Sequence, residues 1–292
     1  MSFVAQKTGA SVGTFTFNGI RLLIGGVALL PMVIYSFIKN KKNPGEKPAE
    51  LFSPKNVAAG TLVCGTALFA GTTLQQHAFT YGLEAGKVAF ITALYMILVP
   101  IFGLFIGKKA GLNLWFGVAL GVVGLYFICI NKGTDFSLGK GELCALICAF
   151  CFAVHIHVVD HYCTRVDNLT LSSGQFLFAG LISVIFMLIF ERDVQPQEIR
   201  NAAVPVLYAG LGSCCLGFTF QVFGQKTTPP ALASLLMCLE SVFAVIFGWI
   251  ILKDHLSSRT LFGCAVMLAG VITAQVPFDM IKNKLPGREN SK

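Results

Sequence analysis

Long apolar runs alternate with short polar breaks along nearly the whole chain. The runs do not alternate apolar and polar residues, and they are longer than the strands of a membrane barrel. A helix that crosses the hydrocarbon core of a bilayer needs roughly 20 mostly apolar residues. The pattern therefore predicts nine full transmembrane helices, at about 17–38, 56–80, 86–107, 112–131, 142–162, 173–190, 203–224, 229–252 and 258–279.

The composition agrees with a chain embedded in lipid. Of the 292 residues, 55% are apolar and only 12% are charged, whereas soluble domains carry about 25% charged residues. The charges lie mainly in the short breaks, so no soluble domain is predicted. A pump driven by nucleotide hydrolysis would need a phosphate-binding Walker loop and a soluble ATPase domain. The sequence contains neither, so this class of transporter is excluded.

The second half of the chain resembles the first. With a shift of 145 residues, positions 56–108 align with 201–253 without a gap, and eleven of the 53 pairs are identical. Membrane composition inflates chance identity among apolar residues, but much less among Asn, Gln and Lys. The polar identical pairs are Asn56/Asn201, Gln76/Gln221 and Lys108/Lys253. We interpret this similarity as an internal duplication.

The duplication predicts two inverted repeats. The second copy holds five spans, and an odd number of spans places successive copies in opposite senses across the membrane. Inverted repeats are typical of secondary transporters, which bind solute near the bilayer midplane between the halves. The predicted units are 1–131 (first repeat), 139–280 (second repeat) and 281–292 (basic tail). Ser2–Gln6 aligns with mid-helix residues of the second copy, so the first of ten helices is expected to be truncated.

Lys and Arg placement predicts the orientation. The loop 39–55 and the tail 282–292 are the most basic segments, and eight predicted spans separate them, so both lie on one side. With Lys7 and Arg21 left out because their side is ambiguous, that side holds 13 basic residues and the other holds seven. The more basic side is therefore predicted to face the cytoplasm, in a protein of the cell (inner) membrane. This distribution accounts for the net charge of +8, and no nucleic-acid partner is needed.

Two segments carry a resemblance to a known family. Residues 90–100 (FITALYMILVP) and 239–252 (LESVFAVIFGWIIL), followed by Gly263 and Gly270, resemble the EamA family of the drug/metabolite transporter superfamily. The resemblance implies ten helices, cytoplasmic termini and export of small metabolites or amino-acid-like solutes. We therefore expect a transporter, not an enzyme, that works by alternating access coupled to protons or exchange.

Glu240 is the sharpest candidate for a site residue. It lies near the centre of a predicted span, where a carboxylate is costly and often functional. It could carry a proton or bind solute in a central cavity, or it could hydrogen-bond a neighbouring helix. Tyr95 is its repeat partner and is expected to face it across the pseudo-two-fold axis.

Four further residues are candidates for solute or coupling contacts. Gln76 and Gln221 could bind polar groups of a solute or tie helices together. His155 could line the cavity, and Arg21 could bind an anion or snorkel to the interface. The predicted partners are a small-molecule substrate and the lipid bilayer, for a monomer or a homodimer.

Two rival functions stay open in the sequence. Cys144, Cys148, Cys151 and His155 share one helical face, and such ligands suit soft metals; however, one face cannot close a tetrahedral site, so no metal or other cofactor is predicted. A membrane-embedded lipid-modifying enzyme would need a polar cluster near one interface. The candidates for that cluster are His155, His157, Asp160 and His161.

Overall fold

The computed structural model describes residues 2–42, 48–130, 138–247, 249 and 257–276. Within these ranges every regular element is helical and none is a strand, which confirms the predicted all-α class. Eight of the described helical stretches are long and apolar enough to cross a membrane. The predicted basic tail at 281–292 lies outside the described residues.

The described residues of the first half form six α-helices and two short 3-10 helices. The predicted incomplete first helix is seven residues long, and the span predicted at 86–107 is divided into two helices at Leu94. The helices are α1 (Ser2–Thr8), α2 (Thr14–Lys42), α3 (Pro54–Thr80), α4 (Ala85–Ala93), α5 (Tyr95–Phe105) and α6 (Leu112–Cys129).

The part of the second half that the structure describes contains eight α-helices and one π-helical segment. The π-helical segment, Tyr208–Phe218, joins α10 to α11 inside one membrane-length stretch. The helices are α7 (Lys140–Tyr162), α8 (Asn168–Phe190), α9 (Pro196–Asn201), α10 (Ala203–Leu207), α11 (Thr219–Gln225), α12 (Pro230–Met237), α13 (Glu240–Phe247) and α14 (Ser258–Gln275).

The span predicted at 229–252 is also divided into two helices in its described part. The first helix ends at Met237 and the next begins at Glu240. The interruption matches the one at Leu94, because Leu94 and Leu239 correspond under the 145-residue shift. Tight turn bonds mark both places, from Leu94 N to Ile91 O (3.2 Å) and from Leu239 N to Leu236 O (3.0 Å).

Helix packing follows the small residues. Helix α6 packs against α14, α2 against α8, and α3 against α7 and α8. Between α6 and α14 the backbones approach closely at Gly117 and Gly124 on one side and Gly270 and Gly263 on the other. Small residues at such contacts let membrane helices approach within van der Waals range of each other's backbone.

The N-terminus of α2 is held by a carboxylate from the end of α8. Glu191 Oε1 accepts a hydrogen bond from Phe15 N (3.0 Å), and Oε2 accepts from Thr16 N and Thr16 Oγ1 (both 2.8 Å). A carboxylate at this position satisfies N–H groups that have no partner inside the helix. Gly13 precedes the contact with φ of +95°, and a Cβ there would lie 2.6 Å from Glu191 Oε2.

We predict that Glu191→Gln lowers the stability of the purified protein. The amide keeps one acceptor but turns an NH2 group toward backbone donors, and the loss of a charge-assisted bond costs about 1–3 kcal/mol. Thermal unfolding in detergent measures the effect. Asp193→Asn, an exposed acid two residues later, is the matched control and should melt like wild type. Equal melting of the two variants would contradict the proposed cap.

Candidate functional site

A cavity of about 390 Å³ lies beside the interruption between α12 and α13. A smaller space of about 100 Å³ shares seven of its lining residues. Three of the predicted site residues line both spaces: Tyr95, Gln221 and Glu240. The other shared lining residues are Ser2, Ser213, Phe218 and Met237.

Glu240 is the first residue of α13, and its side chain is exposed where it lines the cavity. No hydrogen bond from another described side chain to the Glu240 carboxylate is found in the described ranges. The arrangement therefore favours a carboxylate that is available to a proton or a solute over one engaged in tying helices together.

The two interrupted helices meet at this cavity. Tyr95 opens α5 as Glu240 opens α13, and the Tyr95 hydroxyl accepts a hydrogen bond from Cys238 Sγ at 3.7 Å. Cys238 belongs to the interruption itself, so the break in one half contacts the first residue after the break in the other half. Interrupted helices at the midplane are where secondary transporters hold their solutes and ions.

The π-helical segment forms one wall of the cavity through Tyr208, Gly212, Ser213, Gly217 and Phe218. A π-helix is rare and often lies at a functional site. Sequence reasoning missed this wall, because hydropathy over 203–224 is that of an ordinary span. The glycine-rich run at 210–217 (GLGSCCLG) was the available signal.

The two equivalent glutamines have different surroundings. Gln221 lines the cavity, and its Nε2 donates to Gln225 Oε1 at 3.1 Å. Gln76 is fully buried and donates from Nε2 to the backbone carbonyl of Gln6 at 3.0 Å, which ties α3 to α1. Gln76 is not among the cavity-lining residues, whereas its neighbour Gln75 lines the smaller space.

His155 and Arg21 are also buried away from the cavity. His155 Nε2 lies 2.9 Å from Gln175 Oε1, and the histidine is 1% exposed. Arg21 is 2% exposed and its guanidinium lies 5.4 Å from the centre of the Phe17 ring. Snorkelling does not describe Arg21, because a side chain that reached the membrane interface would be accessible to water.

The polar side chains considered for a lipid-modifying enzyme form contacts between and within helices. His157 Nε2 bonds the Val99 carbonyl at 2.9 Å, and Asp160 pairs with Lys108 at 2.5 Å. His161 contacts Arg165 one turn later. In the part of the chain that the structure describes, no group of three or more His, Cys, Asp or Glu side chains is placed to hold a metal.

Comparisons with known proteins match this chain to one transporter family. The model of the EamA-like transporter family matches residues 1–130 and 139–274. An uncharacterised transporter of Bacillus subtilis, YoaV, is 24% identical over 96% of this chain and 94% of its own. The S-adenosylmethionine/S-adenosylhomocysteine transporter of Chlamydia muridarum is 22% identical over 92% and 85%. A protein of known crystal structure shares the fold with a TM-score of 0.72 at 18% identity, covering 94% of each chain.

Proposed function

The chain belongs to the EamA-like transporter family and is a multi-pass membrane transporter, and from this premise we propose that it exports a small metabolite or amino-acid-like solute. The proposed mechanism is alternating access, coupled to protons or to exchange. One observation carries the proposal: Glu240 and Tyr95, each the first residue after a helix interruption, line the same cavity. A solute held there would contact elements of both halves, as alternating access requires.

Glu240 supplies the coupling in this proposal. A carboxylate near the centre of a membrane span is costly to keep charged without a partner, so it binds either a proton or a cationic group of the solute. Binding of one excludes the other, and this competition couples solute movement to proton movement. Gln221 and Tyr95 would position the solute through an amide and a hydroxyl.

We further propose that the two halves are inverted repeats, with units at 1–131 and 139–280 and a basic tail at 281–292. The equivalent interruptions at Leu94 and Leu239 support this division. The packing of α2 on α8 and of α6 on α14 supports it as well, because each pair would then join equivalent helices related by a pseudo-two-fold axis.

The proposed orientation places the C-terminus and the 39–55 loop in the cytoplasm of an inner membrane protein. We predict that a cysteine at position 137, introduced as Ser137→Cys in a cysteine-free background, reacts with an impermeant thiol reagent from outside the cell. A cysteine introduced at Lys41 should react only after the membrane is opened. The reverse labelling pattern would overturn the orientation.

The direction of transport is tested by comparing whole cells with inverted vesicles. Export predicts gradient-driven accumulation in inverted vesicles and a solute enriched in the medium of overexpressing cells relative to knockout cells. Labelled S-adenosylmethionine is a useful first probe, because a relative is named as its transporter. Uptake that supports growth on a single nutrient would contradict export.

A lipid-modifying enzyme is the rival function. The relatives are named as transporters, and the polar residues of α7 that such an enzyme would use are engaged in helix contacts. Turnover of a lipid by detergent-solubilised protein, with no gradient present, would favour the enzyme.

A further inference from the structure

Arg21 places a permanent positive charge inside the helix bundle. Its side chain is 2% exposed, and the Phe17 ring lies beside the guanidinium. No carboxylate forms an ion pair with it among the described residues; the ion pairs found there are Lys87–Glu142 and Lys108–Asp160. A guanidinium does not lose its proton in a protein, and an isolated buried charge is strongly unfavourable. The charge therefore requires a partner that the surrounding helices do not supply.

The groups around Arg21 are neutral, and some are donors without acceptors. The titratable side chains that face it are the thiols of Cys148 on α7 and Cys214 in the π-helical segment. Asn18 lies one turn earlier on the same face of α2 and is fully buried. Arg21 Nε and both polar atoms of the Asn18 amide, Nδ2 and Oδ1, have no hydrogen-bond partner among the described residues. An anion would accept from the two N–H donors beside the positive charge, and Asn18 Oδ1 would accept from a water molecule or a hydroxyl group of the ligand.

The Glu191 carboxylate, at the end of α8, already accepts hydrogen bonds from other groups. Glu191 lies near the start of α2, but its two oxygens accept bonds from Phe15 and Thr16. Burying it against Arg21 instead would leave those backbone donors without a partner. An anion for Arg21 must therefore come from outside the described helices.

The surroundings of Arg21 are connected to the lining of the cavity. Cys214, an electrostatic neighbour of Arg21, follows Ser213, which lines the cavity. Cys148, Phe152 and Cys214 belong to one apolar cluster, with Phe218 packed against it. Phe152 and Phe218 also line the smaller space, so the cluster that contains both thiols near Arg21 also contributes to the lining.

We propose that Arg21, with Asn18, forms an oxyanion-binding site that receives a carboxylate or phosphate group of the transported solute when the π-helical wall moves. The inference rests on the proposed transport function and narrows it: the solute carries an anionic group. In the conformation described here the site is closed from the cavity.

The test is anion-dependent thermal stability of the purified, delipidated protein, with sodium acetate and inorganic phosphate as probes. Wild type should show a saturable rise in melting temperature, and Arg21→Gln should lose the saturable part. Arg259→Gln is the matched control, because Arg259 also lies over aromatic rings (Tyr126 and Phe127); it should keep the wild-type response. General effects of salt appear equally in all three proteins.

The same response in wild type and Arg21→Gln would overturn the site. If Arg21→Gln does not fold, Asn18→Leu keeps the charge and should shift the midpoint of the anion response at least tenfold. An experimental structure in acetate with only water at Arg21 would also overturn it. If added phospholipid abolishes the rise in melting temperature that the anions cause, the site binds a lipid headgroup, and the proposal that it binds an anionic group of the solute is wrong. A saturable, Arg21-dependent response in a protein without flux would contradict the proposed function and leave the anion site standing.

Discussion

Glu240→Gln is expected to insert, fold and melt like wild type and to lose gradient-driven transport by roughly 10- to 100-fold. The factor follows from losing a charged hydrogen-bonding group, worth about 1.5–3 kcal/mol, where each 1.4 kcal/mol is tenfold. Gln keeps the size and polarity of the side chain but cannot titrate. Folding should be unaffected, because Glu240 is exposed in the cavity and is not packed between helices.

Flux in proteoliposomes with and without a pH gradient separates three roles of Glu240. If it carries the coupling proton, Glu240→Gln loses gradient-driven flux but keeps solute exchange. If it binds a cationic solute, exchange of that solute is lost while neutral analogues still move. If it is structural, Glu240→Gln is nearly silent and Glu240→Leu lowers the melting temperature. Glu84→Gln, an exposed acid at the start of α4, is the matched control. Wild-type flux with an unchanged pH profile in Glu240→Gln would rule out the proton-carrier role.

Gly124→Ala is expected to have the largest effect on stability. A Cβ at Gly124 would lie 2.6 Å from Met267 N and 2.8 Å from Gly263 O. Both are backbone atoms, so they cannot rotate away, and α6 and α14 would have to separate along their contact. Overpacking costs about 1–3 kcal/mol where side chains can adjust, so we expect the upper end of that range or more.

Gly224→Ala is the matched control for this prediction. Gly224 also lies in a helix, but a Cβ there would meet nothing within 4 Å. Alanine is favoured over glycine in a helix by up to about 1 kcal/mol, so Gly224→Ala should express and melt at or above wild type. Fluorescence-detected gel filtration and thermal unfolding in detergent measure both variants. Equal yield and melting temperature of Gly124→Ala and wild type would contradict the close contact.

The small-residue faces of α6 and α14 were predictable from the sequence. Gly117 and Gly124 recur at helical spacing, as do Gly263 and Gly270 in the other half, and small residues in a membrane helix favour close contact. The spacing of these glycines along each helix is a property of the sequence, so a face of small residues can be predicted without the structure. Which helix provides the partner could not be read in this way and was supplied by the structure.

The candidate site was predicted in part. Glu240, Tyr95 and Gln221 line the cavity, whereas Gln76, His155 and Arg21 do not. Hydropathy gives the depth of a polar residue in the membrane, but not the direction in which it points. That direction depends on the rotation of each helix about its axis, which is set by contacts with neighbours far away in sequence, such as His155 with Gln175 on α8.

The amino-acid sequence was sufficient to predict that this protein is helical, that it crosses the membrane several times and which family it resembles. Those properties follow from the length and composition of apolar runs and from residues close together in the chain. The positions of the helix breaks and of the π-helical wall were visible only in the folded molecule. No proline or glycine marks the breaks at Leu94 and Leu239, so the local sequence favours a continuous helix there. At the breaks Tyr95 and Cys238 contact each other across the two halves, and such long-range contacts are not encoded in any single segment.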